Sequence, residues 1–192
     1  NLTCGVILPL SGESGTTGTD LLHGIEIAAH ELNEGSHQTG LKVNLRVADD
    51  EGSPERALTL FRNMQDDGIA VVIGSYSTTL TLPMAKETLN SDTTLLISPQ
   101  ANGEALNGIS PLFFQVNPPV FPLARFVADW LVYTADRPAV IYTDDEYGRS
   151  MMNHLTGLPA SSSLSGRDFY PVPEGETDYA AFVKSVLNGA PD

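Results

Sequence analysis

The chain has 192 residues, enough for one α/β domain or two small lobes with a proper core, and no apolar run approaches the roughly 20 residues that a bilayer-spanning helix needs. A formal net charge of -14, with only 10 Lys and Arg scattered along the sequence, excludes the basic footprint of a nucleic-acid-binding protein. The single Cys4 excludes an internal disulfide and a zinc cluster, and its place in an apolar run reads as a buried thiol acting as a small hydrophobe.

Residues 3–10 (TCGVILPL) predict a short buried strand, followed by the Gly/Ser/Thr loop SGESGTTG from Ser11 to Gly18. In the helix expected next, Leu21, Ile25, Ala28 and Leu32 recur at three- and four-residue steps, with Leu22 and Ala29 beside them, and the polar GSHQTG run ends it. Leu41, Val43, Leu45 and Val47 then alternate with Lys42, Asn44 and Arg46, the pattern of a strand near a sheet edge. It runs into Asp49-Asp50-Glu51, which reads with the other acidic clusters as a solvated turn. Ser53-Pro54 supplies an N-cap and a proline at the first helical position, ahead of the apolar face Ala57, Leu60, Phe61 and Met64.

The run IAVVIGSYSTT (Ile69 to Thr79) organises the rest. A fully apolar strand, Ile69 to Ile73, ends in Gly74 and a Ser/Thr cluster where a helix to about Asn90 begins. Amides at a helix N-terminus lack intrahelical partners and carry the positive end of the dipole, so Ser77, Thr78 and Thr79 offer either an ordinary N-cap or a site for a carboxylate or phosphate. Pro83 is expected near the first turn, since deeper in the helix it removes a backbone bond.

Thr93 to Ser98 is another short buried strand, broken at Pro99 into the loop QANGEALNG, and Leu112 to Gln115 can form one more. Asn117-Pro118-Pro119 is the strongest break, dividing an expected lobe at 1–117 from a hinge crossing at 118–120 and an incomplete second lobe at 121–192. The second part alternates again: a helix from Phe121 to Tyr133 with Leu123, Phe126, Val127, Trp130 and Leu131, a strand at 138–143, a helix from Glu146 to Gly157, a strand from Asp168 to Val172, and a helix from Tyr179 to Leu187. The sequence then stops where the rhythm calls for a strand, which leads to the expectation of a truncated chain.

Alternating β and α elements imply an α/β fold with a largely parallel sheet flanked by helices, and ligands on such sheets gather beyond the strand C-termini. Four of those ends are polar: Ser11 to Gly18, Gly74 to Thr79, Gln100 to Gly103 and Asp144 to Gly148. A dinucleotide site is the first enzyme reading, because Gly12, Gly15 and Gly18 follow the first strand and Asp49 the second; the spacing is G-x-x-G-x-x-G, not G-x-G-x-x-G, so a Rossmann-type enzyme stays an alternative. There is no G-x-x-x-x-G-K-[ST], and Ser75 and Ser77 lack the second glycine of a nucleophile elbow. His23, His30 and His37 come without H-E-x-x-H and read as surface or cap residues, and Asp144-Asp145-Glu146 as a charged helix start.

In these segments the sequence resembles the type I periplasmic binding proteins, in particular the branched-chain amino-acid-binding family and related extracellular ligand-binding receptor domains. GVILPLSGESGTTGTDLLHGIEIAAHELNEG is similar to that family's strand, S-G loop and first helix; IGSYSTTLTLPMA to its central site; LLISPQANGEAL and AVIYTDDEYGRS to its next two signatures. The resemblance implies two α/β lobes joined by a hinge and closing on a small ligand, with no catalytic residues, cofactor or metal. It implies that Tyr76, Ser77 and Thr78 bind a ligand carboxylate, that Gln100, Ala101 and Asn102 line the same lobe, that Thr17 lies over the cleft and that Tyr147 reaches in from the second lobe. Polar Gln100, Asn102 and Thr17 depart from the family's amino-acid binders and favour a more polar ligand. The family also implies periplasmic or extracellular placement, with an export signal outside this sequence, and partnership with an ABC permease or a membrane receptor module. A structural or dimerisation module that merely keeps the fold is the third reading.

Overall fold

The computed structural model describes residues 1–35, 40–91, 93–134, 138–158, 169–173 and 175–188. His37, Asp168 as the start of the last strand, and the ending at 189–192 lie outside the described residues. Two compact units emerge: Asn1–Asn102 with Leu106–Asn117, and Gly103–Ala105 with the chain from Pro118 onward.

The first unit is a five-stranded parallel sheet built from β1 (Leu2–Leu8), β2 (Val43–Asp49), β3 (Val71–Gly74), β4 (Leu95–Ser98) and β5 (Phe113–Gln115). Their spatial order is β2-β1-β3-β4-β5, so β2 is an edge strand, in keeping with its alternating pattern. From β1 the chain runs through α1 (Gly15–Glu34) to β2 on one side; from β3 it runs through α3 (Thr78–Glu87) to β4 on the other. The C-terminal ends of β1 and β3 therefore flank the topological switch point, where the two outgoing connections diverge and leave a crevice.

Helix α2 (Pro54–Asp66) starts as its sequence dictates: the Ser53 hydroxyl accepts from the Arg56 amide at 3.2 Å and Pro54 occupies the first helical position. Its buried face, Ala57, Phe61 and Met64, joins Ile7, Val72, Met84, Ala85 and Leu96 in one core, with Phe61 the largest fully enclosed side chain. Truncating such a phenylalanine to alanine costs about 3–5 kcal/mol, so this cluster anchors α2 and α3 to the sheet.

Three expectations need correction in this unit. Helix α1 begins at Gly15, four residues inside the stretch read as a loop, and buries only Gly18 and Ala29 while Leu32 stands 62 % exposed. Beside an edge strand there is less sheet for a helix face to cover. Pro83 lies inside α3, not in its first turn, and its missing N–H is the one that would have bonded the Thr79 carbonyl. Asp50, read as part of a solvated turn, is completely buried.

The second unit carries α4 (Val120–Thr134), β6 (Val140–Thr143), α5 (Glu146–Gly157), β7 (Phe169–Val172) and α6 (Ala180–Asn188), with β6 and β7 paired in parallel. Its core is Ala124, Ala128, Met152 and Leu155. Thus α4 packs through its alanines, with Val127 against them, whereas Leu123, Phe126 and Trp130 are exposed. Val120, assigned from the sequence to a hinge, is already the first residue of α4. Gly103–Ala105 join this unit because the Glu104 amide donates to Ser150 Oγ at 3.0 Å, and Glu104 Oε2 approaches His154 Nε2 to 3.3 Å, an ion-pair distance without hydrogen-bond alignment.

Candidate ligand-binding site

At the end of β3 the chain makes a tight turn into α3. An added Cβ on Gly74 would stand 2.1 Å from the Ile7 carbonyl oxygen, so only glycine lets β3 lie this close to the end of β1. Ser77 is the N-cap of α3, its hydroxyl accepting from the Leu80 amide at 3.3 Å. A hydroxyl that accepts still has its own proton to give, so Ser77 can cap the helix and donate to an incoming carboxylate. The Thr78 side chain is buried, at 3 % exposure, in the first turn, and Thr79 is half-buried. Tyr76 is half-buried, and its hydroxyl lies 2.7 Å from Ser14 Oγ. That bond bridges the loops following β3 and β1, the two loops that border the switch point.

The other sequence-derived residues separate into groups. Thr17 is exposed in the first turn of α1. Gln100 is exposed and Asn102 half-buried in the loop after β4, but the Ala101 side chain belongs to the hydrophobic core. Ala101 contributes through its backbone instead, the amide donating to Ser98 Oγ at 3.1 Å and the carbonyl accepting from Gln115 Nε2 at 3.2 Å. Tyr147 is half-buried in the first turn of α5, in the second unit; burial first, and then the charge of Asp145, raise its phenol above the usual range. Asp145 caps that helix, accepting from the Gly148 amide at 2.6 Å, and Asp144 pairs with Arg149 at 3.0 Å. The acidic cluster is thus a helix start.

The sequence reading missed a buried polar network beneath the β3–α3 turn. Asp50 Oδ2 accepts from the Ser75 hydroxyl at 2.7 Å and Asp50 Oδ1 from the Gly52 amide at 2.9 Å. The Ser75 carbonyl in turn accepts from Thr81 Oγ1 at 3.0 Å and Ser98 Oγ at 2.9 Å. Burial pushes the Asp50 carboxyl up, against the lowering effect of the Ser75 and Gly52 hydrogen bonds. The one available signal was position: an Asp directly past the C-terminal end of a strand, in a chain whose neighbouring strand ends are rich in Ser and Thr.

Asp49, the residue that a dinucleotide reading needs for a ribose, is committed elsewhere. Its Oδ1 accepts from the Leu10 and Glu51 amides, each at 2.8 Å, closing the ends of β1 and β2 on each other. Gly15 and Gly18 lie in the first turn of α1, where Gly18 closely approaches the Pro9 carbonyl. Among the described residues no group of His, Cys, Asp and Glu could hold a metal ion.

A family model described as "Periplasmic binding protein" matches residues 1–192, the entire sequence. The chain belongs to that family. Leu/Ile/Val-binding protein homolog 3 of Brucella melitensis biotype 1 is 26% identical over 190 residues, covering 97% of this chain and 51% of that protein. Leu/Ile/Val-binding protein BraC3 of Rhizobium johnstonii is 29% identical over 106 residues, covering 55% of this chain and 29% of that protein. Among solved structures, the leucine binding protein LivK of Thermotoga maritima superposes with a TM-score of 0.84 at 18% identity, over 100% of this chain and 54% of that one. A solute binding protein of an ABC transporter from Rhodopseudomonas palustris BisB5, in complex with 3,4-dihydroxy benzoic acid, gives 0.82 at 19%, over 100% and 52%. At such identities the likeness establishes the fold: a type I periplasmic-binding-protein sheet flanked by helices. This chain spans about half the length of the first of these relatives. No helix among the described residues is long and apolar enough to cross a membrane.

Proposed function

We propose that this chain carries the anion-recognising part of an extracytoplasmic solute-binding protein whose ligand is an amino acid or similar small carboxylate. The observation that carries the reading is the start of α3 at the switch point of the sheet, where Ser77 caps the helix and Tyr76 is bridged to Ser14. A carboxylate there gains the helix dipole and a proton from the Ser77 hydroxyl, and Gln100, Asn102 and Thr17 supply polar groups from the same unit. The role assigned to Tyr147 rests on the family resemblance. Partnership with an ABC permease or a membrane receptor module, and periplasmic or extracellular placement, belong to the same proposal.

The fully buried Ser75 hydroxyl, donating to Asp50, is no accessible nucleophile, and Asp49 is held by its own loop; both support binding without chemistry on the ligand. Calorimetry of the longest natural polypeptide containing this sequence, against L-leucine, L-isoleucine and 3,4-dihydroxybenzoate, tests the reading. A Ser77→Ala, Thr78→Ala double substitution is expected to weaken binding by about 1.5–3 kcal/mol, roughly ten- to hundredfold, through loss of hydrogen bonds to a charged group. Unchanged affinity at a temperature well below the variant's melting point refutes it.

A further inference from the structure

The C-terminal ends of β2, β3 and β4 share one buried anchor. Asp50 follows β2, Ser75 follows β3, Ser98 ends β4 and Thr81 lies in the first turn of α3; hydrogen bonds of 2.7–3.0 Å join all four, and all four are buried in the first unit. A buried ionised carboxylate is costly to keep unless hydrogen bonds compensate it, and here both of its oxygens accept. The hydroxyls of Thr81 and Ser98 take up both lone pairs of the Ser75 carbonyl, while the Ser75 side chain is tied to Asp50. Ser75 is therefore held at its carbonyl and at its hydroxyl.

A consequence follows for the next amide. In a trans peptide the carbonyl and the following N–H point in opposite directions. With the Ser75 carbonyl turned inward to Thr81 and Ser98, the Tyr76 N–H is turned away from them. We infer that Asp50 is a positioning residue for this turn: through Ser75 it fixes the direction of the peptide groups that lead into α3, and so sets ligand affinity without touching the ligand. This rests on the proposed carboxylate site, and deepens it by naming what holds that site in shape before a ligand arrives, the condition for recognition at low reorganisation cost.

Asp50→Asn keeps the size of the side chain but replaces one acceptor with a donor, so it cannot serve both the Ser75 hydroxyl and the Gly52 amide as they now stand. In the longest natural polypeptide containing this sequence, Asp50→Asn and, separately, Ser98→Ala are expected to raise the Kd for L-isoleucine or 3,4-dihydroxybenzoate about tenfold or more, measured well below each variant's melting point. Amide hydrogen exchange at Leu80 and Thr81, whose N–H groups bond to the Ser77 hydroxyl and carbonyl, is expected to accelerate by a similar factor, while Val72 and Leu96 in the sheet keep their protection. A merely structural anchor lowers the melting temperature and leaves Kd and the exchange at Leu80 and Thr81 unchanged; that result overturns the inference. The Ser77→Ala, Thr78→Ala variant separates the two ideas. If it loses binding while Asp50→Asn does not, only the positioning role fails; if it binds normally, the site fails and the positioning role with it. If neither probe binds the unaltered protein, exchange at Leu80 and Thr81 alone decides. Asp50→Ala, which takes the acceptor from the buried Ser75 hydroxyl and from the Gly52 amide, serves only as a folding control.

Discussion

Alanine placed at two glycines of the same helix should change stability in opposite directions. Gly18 and Gly24 both lie in α1, and Gly→Ala in a helix interior gains about 0.5–1 kcal/mol from reduced backbone entropy. At the exposed Gly24 an added Cβ meets nothing within 4 Å, so that gain is kept. At Gly18 the same atom would sit 1.8 Å from the Pro9 carbonyl oxygen and 2.7 Å from its carbon. Contacts below 3.0 Å are essentially never seen for a real Cβ, so helix and strand end must part by roughly 1.2 Å. The obstacle is backbone, which has no alternative rotamer. Overpacking of this kind costs about 1–3 kcal/mol, occasionally more, and outweighs the propensity gain. The net expectation is a loss of about 1–2 kcal/mol or more for Gly18→Ala and a gain of about 0.5–1 kcal/mol for Gly24→Ala. Urea denaturation followed by circular dichroism, with equal m-values as the sign that the same surface unfolds, measures both. Equal shifts of the same sign at the two positions would mean that α1 is not seated against the Pro9 carbonyl, and the reasoning would fall.

Two further outcomes concern the loops around the switch point. Partial burial alone would raise the Asp49 carboxyl, but hydrogen bonds from the Ser11 hydroxyl and from the Glu51, Leu10 and Ser11 amides outweigh it and hold the group below the usual carboxylate range. A folded-state pKa below the unfolded one contributes stability that is present above the unfolded value, near 3.9, and is lost as the pH falls through the folded value. Asp49→Asn should therefore flatten the acid limb of the stability–pH curve below about pH 4, and a limb as steep as that of the unaltered protein would contradict the loop-closing role. Tyr76→Phe removes the hydroxyl bridged to Ser14 at 2.7 Å, and should cost about 0.5–1.5 kcal/mol of stability, measured by thermal unfolding, with a matching increase in proteolytic nicking of the loop after β1. Identical melting and nicking would show that the bridge holds nothing in place.

Much of the fold was written in local pattern. The apolar run before Gly74, the alternation at Val43 to Val47 and the Ser53-Pro54 start of α2 each name an element from a few adjacent residues, because strand and helix periods and caps are local properties. The Ser77 cap was legible for the same reason. The start of α1 was not: Gly15 and Gly18 look like a flexible loop, yet Gly18 is required because the helix presses on the Pro9 carbonyl, a contact set by how α1 lies on β1. On α4 the pattern of large apolar residues marked the helix but not its buried face, since the periodicity of apolar residues cannot say which of two apolar stripes meets a neighbour; Ala124 and Ala128 do, in close packing against α5, while Phe126 and Trp130 stand exposed.

What the sequence determined by itself was the α/β class, the order of elements and the polar strand ends at which a ligand would be sought, because these follow from side-chain period and backbone chemistry over a handful of positions. What only the tertiary structure decided was which polar residues are scaffolding: Asp50 turned inward to Ser75, Asp49 spent on closing a loop, Ala101 sunk in the core. An Asp in the sequence carries a charge but no direction. Whether it meets water or a buried hydroxyl 25 positions away depends on the crossover connections that bring β2, β3 and β4 side by side, and no local pattern encodes that distance.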